Sequence, residues 1–337
     1  MTLGPHHKPG GGFQSPWGDK HGAAGAVKWY WQRLFEKLPP NPPPSKLPKG
    51  ESSIVYPRVG TADFRATWVG HASVLLQVGG VNILIDPIWS RRCFPVQWAG
   101  PARLVPPGLD FDALPPIDIV VISHDHYDHL DKNTVKRLAA RFGDAPTWVA
   151  PLVYKRWLSR LGISKVVELD WWQEGTVPTV AGDVSLTAVP SRHYTRRNVF
   201  FGDTRLWASF TLRAPGGHTA FLTGDSGYFP ESTDIGARYG PFDFVTMPIG
   251  AYDPRWFMKP THMCPGESVQ TYQNLGASGV MLSVHWGTFR LTDEAPLEPP
   301  VRLKAAWEKQ GLPPGDLWIA RRGDTRIIAG AAASEQE

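Results

Sequence analysis

The chain has 337 residues, enough to bury a large core as one domain or as two modest ones. Hydrophobic residues make up 42% and charged residues 20%, which is the composition of a globular protein and excludes a disordered chain. A net charge of +4 with no Lys/Arg run argues against a nucleic-acid binder, and two cysteines are too few for a disulfide scaffold.

In chain order, residues 1–22 are rich in Gly, Pro and His and are expected to be disordered. Apolar spacing predicts a helix over 26–38, with Val27, Tyr30, Trp31, Leu34, Phe35 and Leu38 on one side. That side either packs on the body of the protein, anchors at a membrane interface or forms a lid over an apolar groove. The Pro-rich run 39–44 stops the helix and makes a stiff spacer. Residues 1–60 thus read as an N-terminal arm and 61–337 as the catalytic domain. Strands are predicted at 67–69 and 74–78, with Gly79-Gly80 turning a hairpin into a strand at 81–85. The β-branched run 118–122 reads as a buried strand. A helix follows at 130–140, capped by Asp131 or Asn133. Further strands are predicted at 184–189, 218–223 and 279–284. Strand-rich segments followed by strand–helix alternation occur twice, at 64–170 and 184–330, which suits two sheets packed face to face with helices outside.

The buried strand at 118–122 runs directly into Ser123-His-Asp-His-Tyr-Asp-His129. Imidazole nitrogen and carboxylate oxygen are donors for zinc or a similar borderline metal. Residues two apart on an extended segment point the same way, so His124 and His126 can grip one ion. Asp128 and His129, after a turn, reach a second. Each of the three later strands is followed by one more candidate donor: His193, Asp225 and His285. Strand carboxyl ends are where α/β sheets place ligands. Asp86, ending a strand before Pro87, either steadies a ligand histidine or shapes a turn. His71 faces the site or sits in a turn. Tyr127, embedded among the donors, is a candidate for substrate contact. His262 contacts substrate or is structural, and Arg192, Arg196 and Arg197 either receive a phosphate or face solvent.

His124-x-His126-x-Asp128-His129 with His193, Asp225 and His285 resembles the ligand set of the metallo-β-lactamase fold hydrolases. That resemblance implies an α/β, four-layer αββα sandwich behind the N-terminal arm. It also implies two Zn2+ per chain: one held by His124, His126 and His193, the other by Asp128, His129 and His285, with Asp225 bridging. The stretches 68–73, 85–87, 123–131, 222–226, 251–258 and 285–289, together with Phe13-Gln-Ser-Pro-Trp17, resemble the N-acyl-phosphatidylethanolamine-hydrolysing phospholipase D branch. The branch implies a zinc-dependent phosphodiesterase. A metal-bridging hydroxide would cleave N-acyl phosphatidylethanolamine to N-acylethanolamine and phosphatidic acid. Asp128 would orient the hydroxide or pass its proton, and His262 would contact the phosphate or protonate the leaving alkoxide. The alternatives are a lactonase or other ester hydrolase on the same dinuclear site, or a non-catalytic metal-binding module. A missing ligand would mark the module, and the set is complete. The implied partner is a phospholipid, with peripheral membrane contact and a homodimer allowed and no nucleic acid. The N-terminus lacks an apolar signal core and no stretch reaches roughly 20 apolar residues, so the expected location is cytoplasmic, at most peripheral on a membrane.

Overall fold

The computed structural model describes residues 4–18, 23–197, 202–276 and 279–329. Its frame is two seven-stranded sheets. The first carries β1 (Phe64–Gly70), β2 (Ser73–Val78), β3 (Val81–Ile85), β4 (Ile119–Val121), β5 (Thr147–Pro151) and β6 (Val166–Leu169). The second carries β7 (Glu174–Thr179), β8 (Gly182–Val189), β9 (Ser209–Arg213), β10 (Thr219–Leu222), β11 (Phe244–Pro248), β12 (Val280–Val284) and β13 (Leu317–Trp318). The final strand, β14 (Thr325–Ile327), crosses back and pairs antiparallel with β1. β3 to β6 are mutually parallel, as are β10 to β13.

Alternation along each strand separates the layers. On β2, Val74, Leu76 and Val78 point to the facing sheet and join Leu186, Phe210, Phe244 and Leu282 in the central core. Leu75, between them, points outward and packs with Leu84, Val120, Val135 and Leu138 beneath α2 (Lys132–Phe142). On the opposite face, Val245, Met247 and Met281 pack under α4 (Ser232–Tyr239), α6 (Pro265–Asn274) and α7 (Glu298–Lys309), through Ile235, Val269 and Leu303. The order of layers is therefore helix, sheet, sheet, helix. Gly79 and Gly80 both have positive φ, +59° and +82°, as the tight hairpin turn requires. A Cβ on Gly79 would also lie 2.2 Å from the Pro215 carbonyl. Asp131 caps α2, accepting from the amides of Asn133 and Thr134.

Two expectations are corrected. Within the segment expected to be disordered, residues 4–18 are ordered. Phe13 is buried in the central core and its amide donates to the Asp203 carbonyl at 2.8 Å. Trp17 packs beside Trp171 and Phe229. The first helix, α1 (Ala23–Arg33), ends five residues before the expected limit at 38, and the apolar side read from its periodicity faces solvent. The residue that docks is Trp29, whose neighbours Val27, Tyr30 and Trp31 are exposed. Among the described residues, no helix is long and apolar enough to cross a membrane. Cys93 and Cys264 are free thiols.

Candidate metal centre

The loops at the carboxyl ends of β3, β4, β8, β10 and β12, with the bend between β1 and β2, meet at one end of the two sheets. Each delivers one or more polar side chains into a buried cluster. His124 Nε2, His126 Nδ1 and His193 Nε2 converge, with His126 Nδ1 lying 3.0 Å from His124 Nε2 and 3.2 Å from His193 Nε2. On the other side, Asp128 Oδ2 lies 3.5 Å from His129 Nε2 and 3.3 Å from His285 Nε2. Asp225 stands between the groups. Its Oδ2 is 3.3 Å from His129 Nε2, 3.2 Å from His285 Nε2 and 3.9 Å from both His124 Nε2 and His193 Nε2. The seven side chains named from sequence thus gather around one carboxylate, as two sets able to hold metal ions.

The histidines are aimed from behind. Asp86 is fully buried; its Oδ2 accepts from His129 Nδ1 at 2.8 Å, and its Oδ1 accepts from the Ser123 amide. Ser123 Oγ donates to Asp86 and lies 2.9 Å from His124 Nδ1. His193 Nδ1 donates to the Thr261 carbonyl at 2.9 Å. With the rear nitrogens engaged, the Nε2 atoms of His124, His129 and His193 face inward. His71, left open between the site and a turn, belongs to the site: its Nε2 donates to Asp128 Oδ2 at 2.8 Å. It also joins Asp128, His129 and His285 as a fourth possible donor. His71, Asp86 and His285 all have left-handed φ, of +56°, +40° and +63°, and the His285 amide donates to the His71 carbonyl. Non-glycine residues enter this region at a cost and are held there by their surroundings.

The electrostatics divide the cluster. Burial, reinforced by neighbouring imidazoles, drives His124 well below the ordinary histidine pKa. Burial also lowers His193 and His126, so these rings present neutral lone pairs. Burial opposes the charge on Asp225, but His285 and His129 outweigh it and keep the carboxyl ionised. Burial likewise opposes the charge on Asp128, where His129 and the hydrogen bonds from His285 and His71 prevail. Burial would lower His285, yet Asp225 and Asp128 raise it to about 9. His129, buried against Asp225, Asp128 and Asp86, is raised in the same way.

The donor set suits a metal ion of the zinc class. Tetrahedral zinc with bonds of about 2.05 Å sets its donors roughly 3.3 Å apart, close to the spacing of the first three nitrogens. A cation placed among these nitrogens would take the lone pairs that face one another. Asp225 Oδ1, His129 Nε2 and His262 Nδ1 are buried without a hydrogen-bond partner, which metal or substrate contacts would relieve.

A cavity of about 280 Å³ opens over the cluster. His126, Asp128, Asp225 and His262 form its polar floor, and Trp29, Tyr194, Phe257, Met258 and Leu291 are among its walls. His262 Nδ1 lies 3.9 Å from Asp225 Oδ2, and burial holds this ring down at about 3, hence neutral. Its loop is fixed by Arg255, which donates to the His262 carbonyl and pairs with Glu267 at 2.7 Å. Tyr127 also lines the cavity, but its hydroxyl donates to the Arg197 carbonyl at 3.0 Å and does not point at the floor. Of the three arginines near His193, Arg196 reaches the cavity; Arg197 donates to the carbonyls of Asp125 and Leu130, and Arg192 to that of Tyr228. A larger cavity of about 520 Å³ lies beyond Tyr127, and none of the seven residues lines it. The apolar walls contributed by Trp29, Phe257 and Leu291 were not read from sequence. They come from three distant segments, and the available signals were the aromatic run around Trp29 and the stretch 251–258 that holds Phe257.

A family model described as a beta-lactamase superfamily domain matches residues 81–286. An uncharacterised protein of Mycobacterium tuberculosis is 40% identical over 272 residues, covering 80% of this chain and 70% of that protein. The N-acyl-phosphatidylethanolamine-hydrolysing phospholipase D 1 of Caenorhabditis elegans is 37% identical over 246 residues, covering 71% of this chain and 68% of the worm protein. Among solved structures, Igni18, a metallo hydrolase from Ignicoccus hospitalis, superimposes with a TM-score of 0.59 at 20% identity, over 79% of this chain and 98% of its own. That likeness speaks for the fold, the αββα arrangement built above. Sequence, fold and donor cluster agree: the chain belongs to the beta-lactamase superfamily, as a metal-dependent hydrolase with N-acyl-phosphatidylethanolamine-hydrolysing phospholipases D among its relatives.

Proposed function

We propose that the chain is a two-zinc phosphodiesterase of phospholipase D type, acting on N-acyl phosphatidylethanolamine. The observation that carries the reading is the cavity with a His/Asp floor and aromatic and aliphatic walls, in a chain 37% identical to such an enzyme. In this reading His124, His126 and His193 would hold one cation, Asp128, His129 and His285 would hold the other, and Asp225 would serve both. A bound pair supplies Lewis acidity, which lowers the pKa of water and neutralises phosphoryl oxygens. The remaining work falls to the chain. Asp128, kept ionised by His71 and His285, stays a fixed acceptor and orients the attacking water. A neutral His262 offers one N–H, so we assign it to a phosphoryl oxygen and not to protonation of the leaving alkoxide. Trp29, Phe257 and Met258 exclude water from the floor and receive apolar parts of the lipid.

The exposed side of the arm supports contact with a lipid surface. Trp31 is 64% exposed and Phe35 73%, on the segment whose Trp29 lines the cavity. Lys28, exposed on the same helix, suits anionic headgroups.

The test is zinc-loaded protein given N-acyl phosphatidylethanolamine and a simple lactone in 18O-water, with products read by mass spectrometry. The expected products are phosphatidic acid carrying 18O and unlabelled N-acylethanolamine, because water attacks phosphorus and the head-group P–O bond breaks. Lactone opening without lipid turnover would overturn the proposal.

A further inference from the structure

Separate from the donors described above, a second histidine–carboxylate cluster fastens the arm. His6 Nε2 lies 2.7 Å from Asp170 Oδ1, and His7 Nε2 lies 2.8 Å from Asp170 Oδ2. One donor atom from each of the three residues lies within 4.8 Å of the others.

We propose that His6, His7 and Asp170 form an additional site for a zinc-class divalent cation, with solvent completing its coordination. Two imidazole nitrogens and one carboxylate oxygen are a donor set such an ion accepts. The groups are also held in place before any ion arrives. The His6 ring stacks on Trp171 at 4.2 Å between centroids, and Gly4 lies close to the same ring. A Cβ at Gly4 would sit 2.7 Å from the ring, so glycine is what permits the approach. The carboxylate is fixed in turn: the Trp171 amide donates to Asp170 Oδ1 at 2.8 Å, and the Asp170 amide donates to the Gln173 side chain. His6 is buried, which disfavours its charged form and leaves a lone pair for a metal. His7 and Asp170 keep 13% and 31% of their side chains exposed, which gives an ion a route in.

The consequence is mechanical. The site joins the arm to the turn between β6 and β7, a few residues from the point where Phe13 enters the core and bonds to Asp203. The Asp203 amide in turn donates to the Thr195 carbonyl, two residues beyond His193. A cation at the arm therefore stiffens a segment adjoining the candidate metal centre without touching it.

The test compares the full chain with His7→Gln and Asp170→Asn, which keep side-chain bulk. Each is dialysed to equilibrium against zinc, and zinc per chain is measured by elemental analysis. Each variant is expected to hold one zinc fewer than the parent. Added zinc is expected to slow proteolysis within residues 4–18 of the parent by several-fold and to leave both variants unprotected. Equal zinc content in all three proteins would overturn the site, as would equal protection. All three share an unaltered His124–Asp225–His285 cluster, so the difference between them is independent of how many ions that cluster holds.

Discussion

One oxygen of Asp225 faces the inward nitrogens of His129 and His285 within 3.3 Å, and those of His124, His193 and His262 at 3.9 Å. A carboxylate so placed can be shared by donors on both sides of the cluster. His124, His193, Asp225 and His285 were legible in sequence because each follows a strand, and a donor at a strand end recurs with a rhythm that chance capping residues lack. His71 was less legible. It is a lone histidine in a bend, and its aim at Asp128 depends on a left-handed backbone that no spacing reveals. Asp86 gives the residue-scale prediction. Replacing it with Ala leaves His129 Nδ1 and the Ser123 amide without their acceptor. Zinc affinity at the centre is expected to fall about 10–100-fold, the usual effect of losing such a support. Competition with a chelating dye checks this; affinity equal to the parent would show that Asp86 does not aim the ligand.

At the scale of elements, helix α2, the Gly79-Gly80 hairpin and the strands flanking the donors follow from local pattern and capping. Helix α1 does not. Its periodicity favours burying the side that carries Tyr30 and Trp31, but the body offers a different contact. Trp29 Nε1 bonds to Asp293, Arg33 pairs with the same carboxylate at 2.9 Å, and Lys28 lies over the Trp256 ring. These partners are more than 200 residues away, beyond the reach of any windowed pattern. The exposed aromatics are then free to meet lipid. Trp31→Ser combined with Phe35→Ser is expected to lower turnover of vesicle-borne substrate about tenfold, since interfacial binding scales with buried apolar area. Turnover of a water-soluble phosphodiester is expected to stay at the parent level. An equal fall on both substrates would remove the interfacial role and make these residues structural.

At the scale of the molecule, the two-sheet sandwich was readable from the doubled strand–helix pattern. What was not readable is how far the arm belongs to the body. Phe13 fills the central core, Trp29 walls the cavity, and β14 returns from the end of the chain to the first sheet. Each is a contact between distant parts of the sequence, decided by packing. The same closure brings loops of both sheets to one end, where a bend after β1 and a turn after β12 share a hydrogen bond at the centre. The measurement that tests this account most directly is a crystal structure of the zinc-loaded protein with anomalous data at the zinc edge. It should show two peaks roughly 3.5–4 Å apart on either side of Asp225, one bonded to His124, His126 and His193 and the other to Asp128, His129 and His285. Density for no ion at Asp225, or for a single ion with either histidine set turned away, would contradict it.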